Sequence, residues 1–517
     1  MGAPAAAQHV SPPPPSSASA AALRRAPSDP WTPRPFAPMS GARVTTLRPT
    51  LRWRLPTGSP GATAELCRDR TCSQPDRTLD VLATTARPSR DLAPGVWYWR
   101  VRTSQKLGPT WSFVVGARNT LVDTSVHTRF DVNGDGYADA LGDAYVFFGG
   151  PLGLPQRPSA LLPGFDEGAC ILRDNGMIDQ CTGTGDQSSA GRFAGDVDGD
   201  GFTDVVSESG ASGSEDERTP MLYFGGPDGL SPKGVAAPAL DIEALGDIDG
   251  DGFADVAAQV EDGKTAIFLG GEGGLALEPA RTLVALGAKR AGDVDGDGFA
   301  DFLVRKEDGF ELRFGAAAGA AERAPFAIPM SDPEEGASAE SIVSGGDING
   351  DGFSDVALIR NLHNPYMKDA FDYRTHLEIY TGQRSGVMID NPSMSRTWYG
   401  RKHAEPRETW LATGDVDGDG FWDIVIGEVG LDGDVLLIEG GPGGPSKGPT
   451  SHVQYGEGKL WFGRPEILGD VNGDGTDDTL VWSTDDILGH LHMWLYRGTP
   501  HGLGRTPTAT WYFFPRY

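Results

Sequence analysis

The chain has 517 residues, with 72 acidic against 44 basic side chains and a formal net charge of −28. An excess of that size repels phosphate backbones and anionic lipid surfaces, which argues against a nucleic-acid role. No apolar h-region of seven or more residues occurs, and no stretch is long enough to cross a bilayer as a helix, so neither a signal peptide nor a span is legible.

Residues 1–37 are rich in Ala, Pro and Ser, including Pro12-Pro13-Pro14-Pro15. Such a stretch cannot bury enough apolar surface to order itself and is expected to be a disordered linker. The Met1-Gly2 start has Ala6 where N-myristoylation prefers Ser or Thr, so a lipid anchor of that kind is not expected. Linkers of this composition often follow a secretion or lipoprotein signal, which leaves the true start and the export signal open.

Residues 38–116 carry strand-like runs at Thr50–Arg54, Ala62–Leu66, Trp97–Val101 and Trp111–Val115, separated by turn residues. That pattern predicts a small β-sandwich. Alternation puts Trp97, Trp99 and Val101 on one face, expected to be the core rather than a sugar-stacking platform, because buried aromatics dominate sandwich interiors. Trp53, the Leu92-Ala93-Pro94-Gly95 turn and the aromatic strand after it resemble a fibronectin type III or immunoglobulin-like domain. The resemblance makes Tyr98 a candidate corner tyrosine, with the spacing off by one.

The four cysteines form two sequence-local pairs, Cys67 with Cys72 and Cys170 with Cys181. Two disulfides, and with them an oxidising compartment, are expected; four unpaired buried thiols are the alternative. The spacings fit no zinc motif.

From residue 118 to 517 one pattern recurs seven times, Asp-x-(Asp/Asn)-Gly-Asp-Gly-x-x-Asp. Position 1 is Asp131, Asp196, Asp247, Asp293, Asp347, Asp415 and Asp470. Position 3 is Asn133, Asp198, Asp249, Asp295, Asn349, Asp417 and Asn472. Position 5 is Asp135, Asp200, Asp251, Asp297, Asp351, Asp419 and Asp474, and position 9 is Asp139, Asp204, Asp255, Asp301, Asp355, Asp423 and Asp478. Side-chain oxygens at alternate positions, with the position 7 carbonyl of Tyr137, Phe202, Phe253, Phe299, Phe353, Phe421 or Thr476, make an all-oxygen cradle suited to a hard cation such as Ca²⁺. Up to seven calcium ions are expected, more weakly held where Asn removes a charge. Seven divalent ions would bring the net charge from −28 to −14, so the acidity is largely that of the metal loops. Three or four carboxylates in one turn repel one another without metal, so folding is expected to depend on calcium.

An EF-hand is excluded, because position 12 of that loop needs a bidentate Glu and no copy has a carboxylate there. Short β-branched runs such as Asp423-Ile424-Val425-Ile426 follow the loops and favour strands. In step with the loops come glycine turns: Phe148-Gly149-Gly150-Pro151, Phe224-Gly225-Gly226-Pro227, Leu269-Gly270-Gly271, Phe314-Gly315 and weaker versions at Gly382, Gly440 and Gly498. A repeat of several short strands without helical period predicts an all-β, seven-bladed β-propeller after the sandwich. Loops and turns together resemble the FG-GAP repeats of integrin α subunits. All seven loops look competent, which resembles bacterial relatives more than animal receptors.

In such a blade the loop and the glycine turn share one face, and the 2–3 and 4–1 connections share the other. Insertions at Glu208–Pro220, Asn361–Thr375 and Gly164–Ala190 lengthen that second face, and the resemblance to integrins places partner binding there. Its richest set comes from the fifth repeat: His363, Tyr366, Lys368, Asp369, Tyr373 and Arg374, with Trp398, Tyr399, Arg401, Lys402, His403 and Arg407. Aromatic rings stack on sugars, and Arg and Lys grip carboxylates. The proposed ligand-binding residues are His363, Tyr366, Lys368, Arg374, Arg401, His403 and Arg407; an ordinary solvated loop is the alternative. No nucleophile elbow, zincin helix or phosphate loop is present. The expectation is a monomeric, secreted or cell-surface, calcium-binding adhesion or recognition module for an extracellular protein or polysaccharide. A polysaccharide lyase or glycosidase is the alternative, and a rigid spacer a third reading.

Overall fold

Glycine and aspartate interrupt the apolar runs so often that strands stay short, and the computed structural model is built of them throughout. It describes residues 33–514 apart from 39–41, 45, 56–58, 116–129, 143–144, 164–170, 173–177, 180–190, 210–218, 262, 308, 318–322, 330–337, 345, 364–372, 388–393, 400–408, 430–432, 442–443, 455–459 and 486–490. Among the described residues there is no helix.

The N-terminal part is two sheets. One has three strands, Arg34–Ala37, Leu51–Arg54 and Thr85–Ala86; the other has five, in the order Ala42–Val44, Leu107–Val115, Gly95–Arg102, Ala62–Cys67, Arg77–Val81. Trp53, Trp97, Trp99, Val101, Trp111 and Phe113 fill the space between them, as alternation requires. Tyr98 points the other way. Its hydroxyl donates to Gly296 O at 3.4 Å, far along the chain, so it is not a corner tyrosine closing on its own strand. Cys67 and Cys72 are disulfide-bonded, whereas Cys170 and Cys181 lie outside the described residues.

After residue 130 the strands group into small antiparallel sheets met in chain order. Those of the second to sixth repeats each have four strands, for example Ile242–Gly246, Asp255–Glu261, Lys264–Phe268 and Arg281–Val284. In the second to seventh repeats the aspartate loop connects the first strand to the second, as Gly246 paired with Asp255 illustrates. In the first repeat the strands Ala140–Gly142, Tyr145–Phe147 and Ala160–Leu161 are described, the segment before its loop being outside the described set. Apolar clusters lie between successive sheets, and the last sheet packs on the first: Leu468, Val471, Leu480 and Trp511 join Val132, Val146 and Phe147 in one core.

Two expectations about the connections are corrected. Part of the length read as loop is ladder, since Glu208 pairs with Pro220 and the strands Val356–His363 and Tyr373–Tyr380 stay paired out to His363 and Tyr373. A paired strand satisfies its own backbone groups, so extending the hairpin costs less than an open loop of the same length. The long connection after the first repeat is not a free protrusion either. Its strands Ile171–Leu172 and Ile178–Asp179 form a hairpin that adds in parallel to Ala509–Phe514 at the edge of the last sheet. This covers an otherwise unpaired strand edge. The final strand itself pairs with Leu491–Tyr496, and Thr120–Val122 lies outside the described residues.

Candidate metal centres

Each loop is shaped by its own hydrogen bonds. The glycines at positions 4 and 6 have φ between 67° and 101° in all seven copies, a region a Cβ disfavours. That turn lets the position 1 carboxylate accept backbone N–H groups across the loop; in the third copy Asp247 Oδ1 takes Gly250 N at 2.6 Å and Oδ2 takes Gly252 N at 2.9 Å. Positions 3 and 5 accept from the amides two residues on, as Asp249 does from Asp251 at 3.2 Å and Asp251 from Phe253 at 3.0 Å.

Position 9 has a role the motif alone does not reveal. Asp255 Oδ2 accepts from Ile248 N at 2.8 Å and Oδ1 accepts from Gly270 N at 2.9 Å, so one buried carboxylate ties its loop to the glycine turn. The same two bonds recur at Asp139, Asp204, Asp301, Asp355, Asp423 and Asp478. Loop and turn therefore share one end of each sheet.

Neighbouring loops are also bonded to each other. The position 8 amide donates to the position 1 carbonyl of the preceding loop: Thr203 to Asp131, Ala254 to Asp196, Ala300 to Asp247, Ser354 to Asp293, Trp422 to Asp347 and Asp477 to Asp415. Ala138 of the first loop donates to Asp470 of the last at 3.0 Å, completing a circuit. The position 7 side chain takes part as well. Phe299 and Phe421 lie so close over Gly250 and Gly350 of the preceding loops that a Cβ there would overlap the ring, and Tyr137 covers Gly473 likewise.

The donor set fits a hard cation. In four loops three carboxylates bring oxygens within 4.8 Å of one another: Asp196, Asp198 and Asp204; Asp247, Asp249 and Asp251; Asp293, Asp295 and Asp297; Asp415, Asp417 and Asp423. Asp293 Oδ1 is buried without a hydrogen-bond donor, an orphaned acceptor of the kind an ion satisfies. Where position 3 is Asn the amide engages the carboxylates instead, Asn133 donating to Asp135 at 3.0 Å and Asn472 to Asp478 at 2.9 Å. Burial pushes the carboxyls up, Asp131 and Asp251 to about 6, Asp200, Asp297 and Asp417 to about 7, and Asp139, Asp255, Asp347 and Asp478 to about 8. A bound divalent ion would favour their ionised forms.

In the fourth loop a side chain at a ligand position is engaged by a cation of the chain itself. Arg323 pairs with Asp295 and stacks 3.9 Å from the Phe314 ring centroid, while Ser112 of the N-terminal part donates to Asp293 Oδ2 at 3.2 Å. Neither residue carries a sequence signal for this.

Of the proposed ligand residues, His363 and Arg374 are placed by backbone. His363 sits opposite Tyr373 and Arg374 opposite Tyr399, at the end of the sheet away from the aspartate loop. Tyr366, Lys368, Arg401, His403 and Arg407 lie outside the described residues, in the two stretches that leave from that end.

No known family profile matches the chain. A stretch of 107 residues is 37% identical to integrin alpha-PS2 of Drosophila melanogaster, covering 18% of this chain and 8% of that protein, so the match spans a small part of the relative. Among solved structures, rhamnogalacturonan lyase YesW aligns over 90% of this chain and 68% of its own at 10% identity and a TM-score of 0.25. An alanine-substituted AofleA from Arthrobotrys oligospora aligns over 61% of this chain and 86% of its own at 12% identity and a TM-score of 0.31. Likenesses at such scores carry no argument about fold or function. Among the described residues no helix is long and apolar enough to cross a membrane. What the chain shares with a known protein is thus a limited stretch similar to an integrin α subunit, alongside an all-β architecture with acidic clusters able to hold metal ions.

Proposed function

We propose that residues 118–517 form a seven-bladed, calcium-binding propeller of FG-GAP type, preceded by a fibronectin type III-like sandwich, and that the chain is an extracellular recognition module. The observation that carries this reading is the circuit of loop-to-loop hydrogen bonds, in which the first and last loops are joined as every other pair is. With oxygen donors at positions 1, 3, 5, 7 and 9, each loop would hold one Ca²⁺, and the ion would neutralise carboxylates that otherwise repel. Ions stiffen one face, and the long connections of the fifth repeat leave from the other. Long connections on a rigid scaffold concentrate binding residues, so that end is where a glycan or protein ligand would sit.

The test is a calcium titration followed by a glycan and protein array, run in calcium and in chelator on the whole chain and on a variant with 364–372 and 400–408 replaced by short turns. Calcium-dependent retention of a ligand class that the variant loses supports the reading. Equal retention by both proteins refutes the assigned face. Release of unsaturated products from uronic-acid polysaccharides would replace recognition by lyase chemistry.

A further inference from the structure

The disulfide between Cys67 and Cys72 closes a short turn that carries Arg70. The turn is held on several sides. Cys72 N donates to Asp69 O at 3.0 Å and to Asp69 Oδ1 at 3.1 Å, and Thr71 Oγ1 donates to the same carboxylate. From beneath, Arg100 donates Nη1 to Thr71 O at 3.2 Å and Nη2 to Cys72 O at 2.9 Å, while its Nε bonds the buried Glu65 at 2.7 Å. Arg70 is therefore presented by a preorganised element, which lowers the entropy lost on making a contact.

Arg70 reaches between the fourth and fifth aspartate loops. Its Nη2 donates to Gly352 O, and its guanidinium carbon lies 3.7 Å from the Phe353 ring centroid. A Cβ on Gly296 would fall 2.6 Å from that same carbon. At Gly134, Gly250, Gly350 and Gly473 the position 7 ring of the next loop, Phe202, Phe299, Phe421 or Tyr137, covers the position 4 glycine directly; here Arg70 stands between Gly296 and Phe353. The rest of the seam is just as close. Tyr98 OH donates to Gly296 O at 3.4 Å, Ser112 Oγ to Asp293 Oδ2 at 3.2 Å, and Val96 leaves no room for a side chain at Gly298. Asp293, Asp347 and Asp351 all act electrostatically on Arg70. Arg70 Nη1 and Asp293 Oδ1 are each buried without a hydrogen-bond partner, so neither ion is fully satisfied by the other.

We propose that Arg70 is a tethered cation that docks the N-terminal sandwich on the fourth and fifth loops and competes there with Ca²⁺, making sandwich docking and ion loading at these two loops antagonistic. This rests on the calcium reading above. The physical reason is that both cations draw on Asp293 and Asp347. A buried guanidinium is tolerated only while its counter-charges remain available, and a divalent ion in either cradle withdraws them. Arg323 on Asp295 adds a second positive charge against an ion in the fourth loop. Linkage is reciprocal: whatever docking takes from calcium affinity, calcium takes from docking.

The experiment uses the full chain and its Arg70→Gln and Arg70→Lys variants. Calcium binding is followed by calorimetry, and docking by small-angle scattering and by hydrogen exchange over residues 96–112, with circular dichroism as the folding control. Calcium should expand the unaltered chain and speed exchange in that segment. Arg70→Gln should be expanded already in chelator and should tighten calcium binding at two sites by about fivefold or more, with Arg70→Lys between the two. Superimposable isotherms for all three proteins, or a chain equally compact in chelator and at saturating calcium, overturn the antagonism while leaving the calcium reading intact. If Arg70→Gln does not fold, scattering and exchange on the unaltered chain decide alone. A chain that takes up no calcium overturns both.

Discussion

Replacing Asp255 by Ala separates the two duties assigned to the position 9 aspartate. Its carboxyl is fully buried and accepts Ile248 N and Gly270 N, so the substitution leaves two part-buried amides without an acceptor. Each orphaned amide costs about 1–3 kcal/mol, giving about 2–6 kcal/mol for the pair. The cost does not require an ion, because both bonds run directly from backbone amides to the carboxylate. Asp249, at position 3 of the same loop, is less buried and accepts one bond, from Asp251 N. Asp249→Ala should therefore stay within about 0.5 kcal/mol of the parent in chelator and be felt only when calcium is added. Urea unfolding in chelator and in calcium gives the comparison, and exchange at the Gly270 amide reports the site directly. If Asp255→Ala unfolds together with the parent in chelator, the clamp between loop and turn is not a stabilising element and the reasoning fails.

Two further outcomes follow from the same geometry. The loop carboxyls are raised by burial, Asp255 and Asp478 to about 8, so the ion-free fold binds more protons than the unfolded chain. That contribution is complete below about pH 4 and is lost as pH rises through about 8, so thermal melting in chelator should fall across this range, and calcium should remove the trend; a rise with pH would refute it. Trp511 is buried against Phe147, ring centroids 5.3 Å apart, and donates Nε1 to Pro155 O at 3.1 Å. Trp511→Ala should cost about 3–5 kcal/mol and speed exchange in Tyr145–Phe147, and unchanged exchange there would show that the last repeat does not brace the first.

Much of this was legible from local pattern. The paired glycines at positions 4 and 6 state their own backbone requirement, and all fourteen adopt positive φ. Alternation at Trp97, Trp99 and Val101 was sufficient to place these side chains in the apolar cluster of the N-terminal sheets. What escaped were partnerships between segments far apart in the chain. The Cys67–Cys72 spacing marks a braced turn, yet nothing near Arg70 announces that its acceptor, Gly352, lies 282 residues away. Tyr98 had the composition of a local corner and the orientation of an interface residue. Parallel pairing of Ile178–Asp179 with Phe513–Phe514 has no signature either, because two residues carry too little period to read.

The bond from Ala138 to Asp470 joins residues at opposite ends of the repeat array. During synthesis the first repeat leaves the ribosome with its flank bare, and the side chains that cover it, Leu468, Val471 and Trp511, are translated long after it. Contacts of such long range form slowly and keep apolar surface available to chaperones and to neighbouring nascent chains. A chain lacking the seventh repeat would leave Val132, Val146 and Phe147 uncovered, an apolar flank open to aggregation despite intact early repeats.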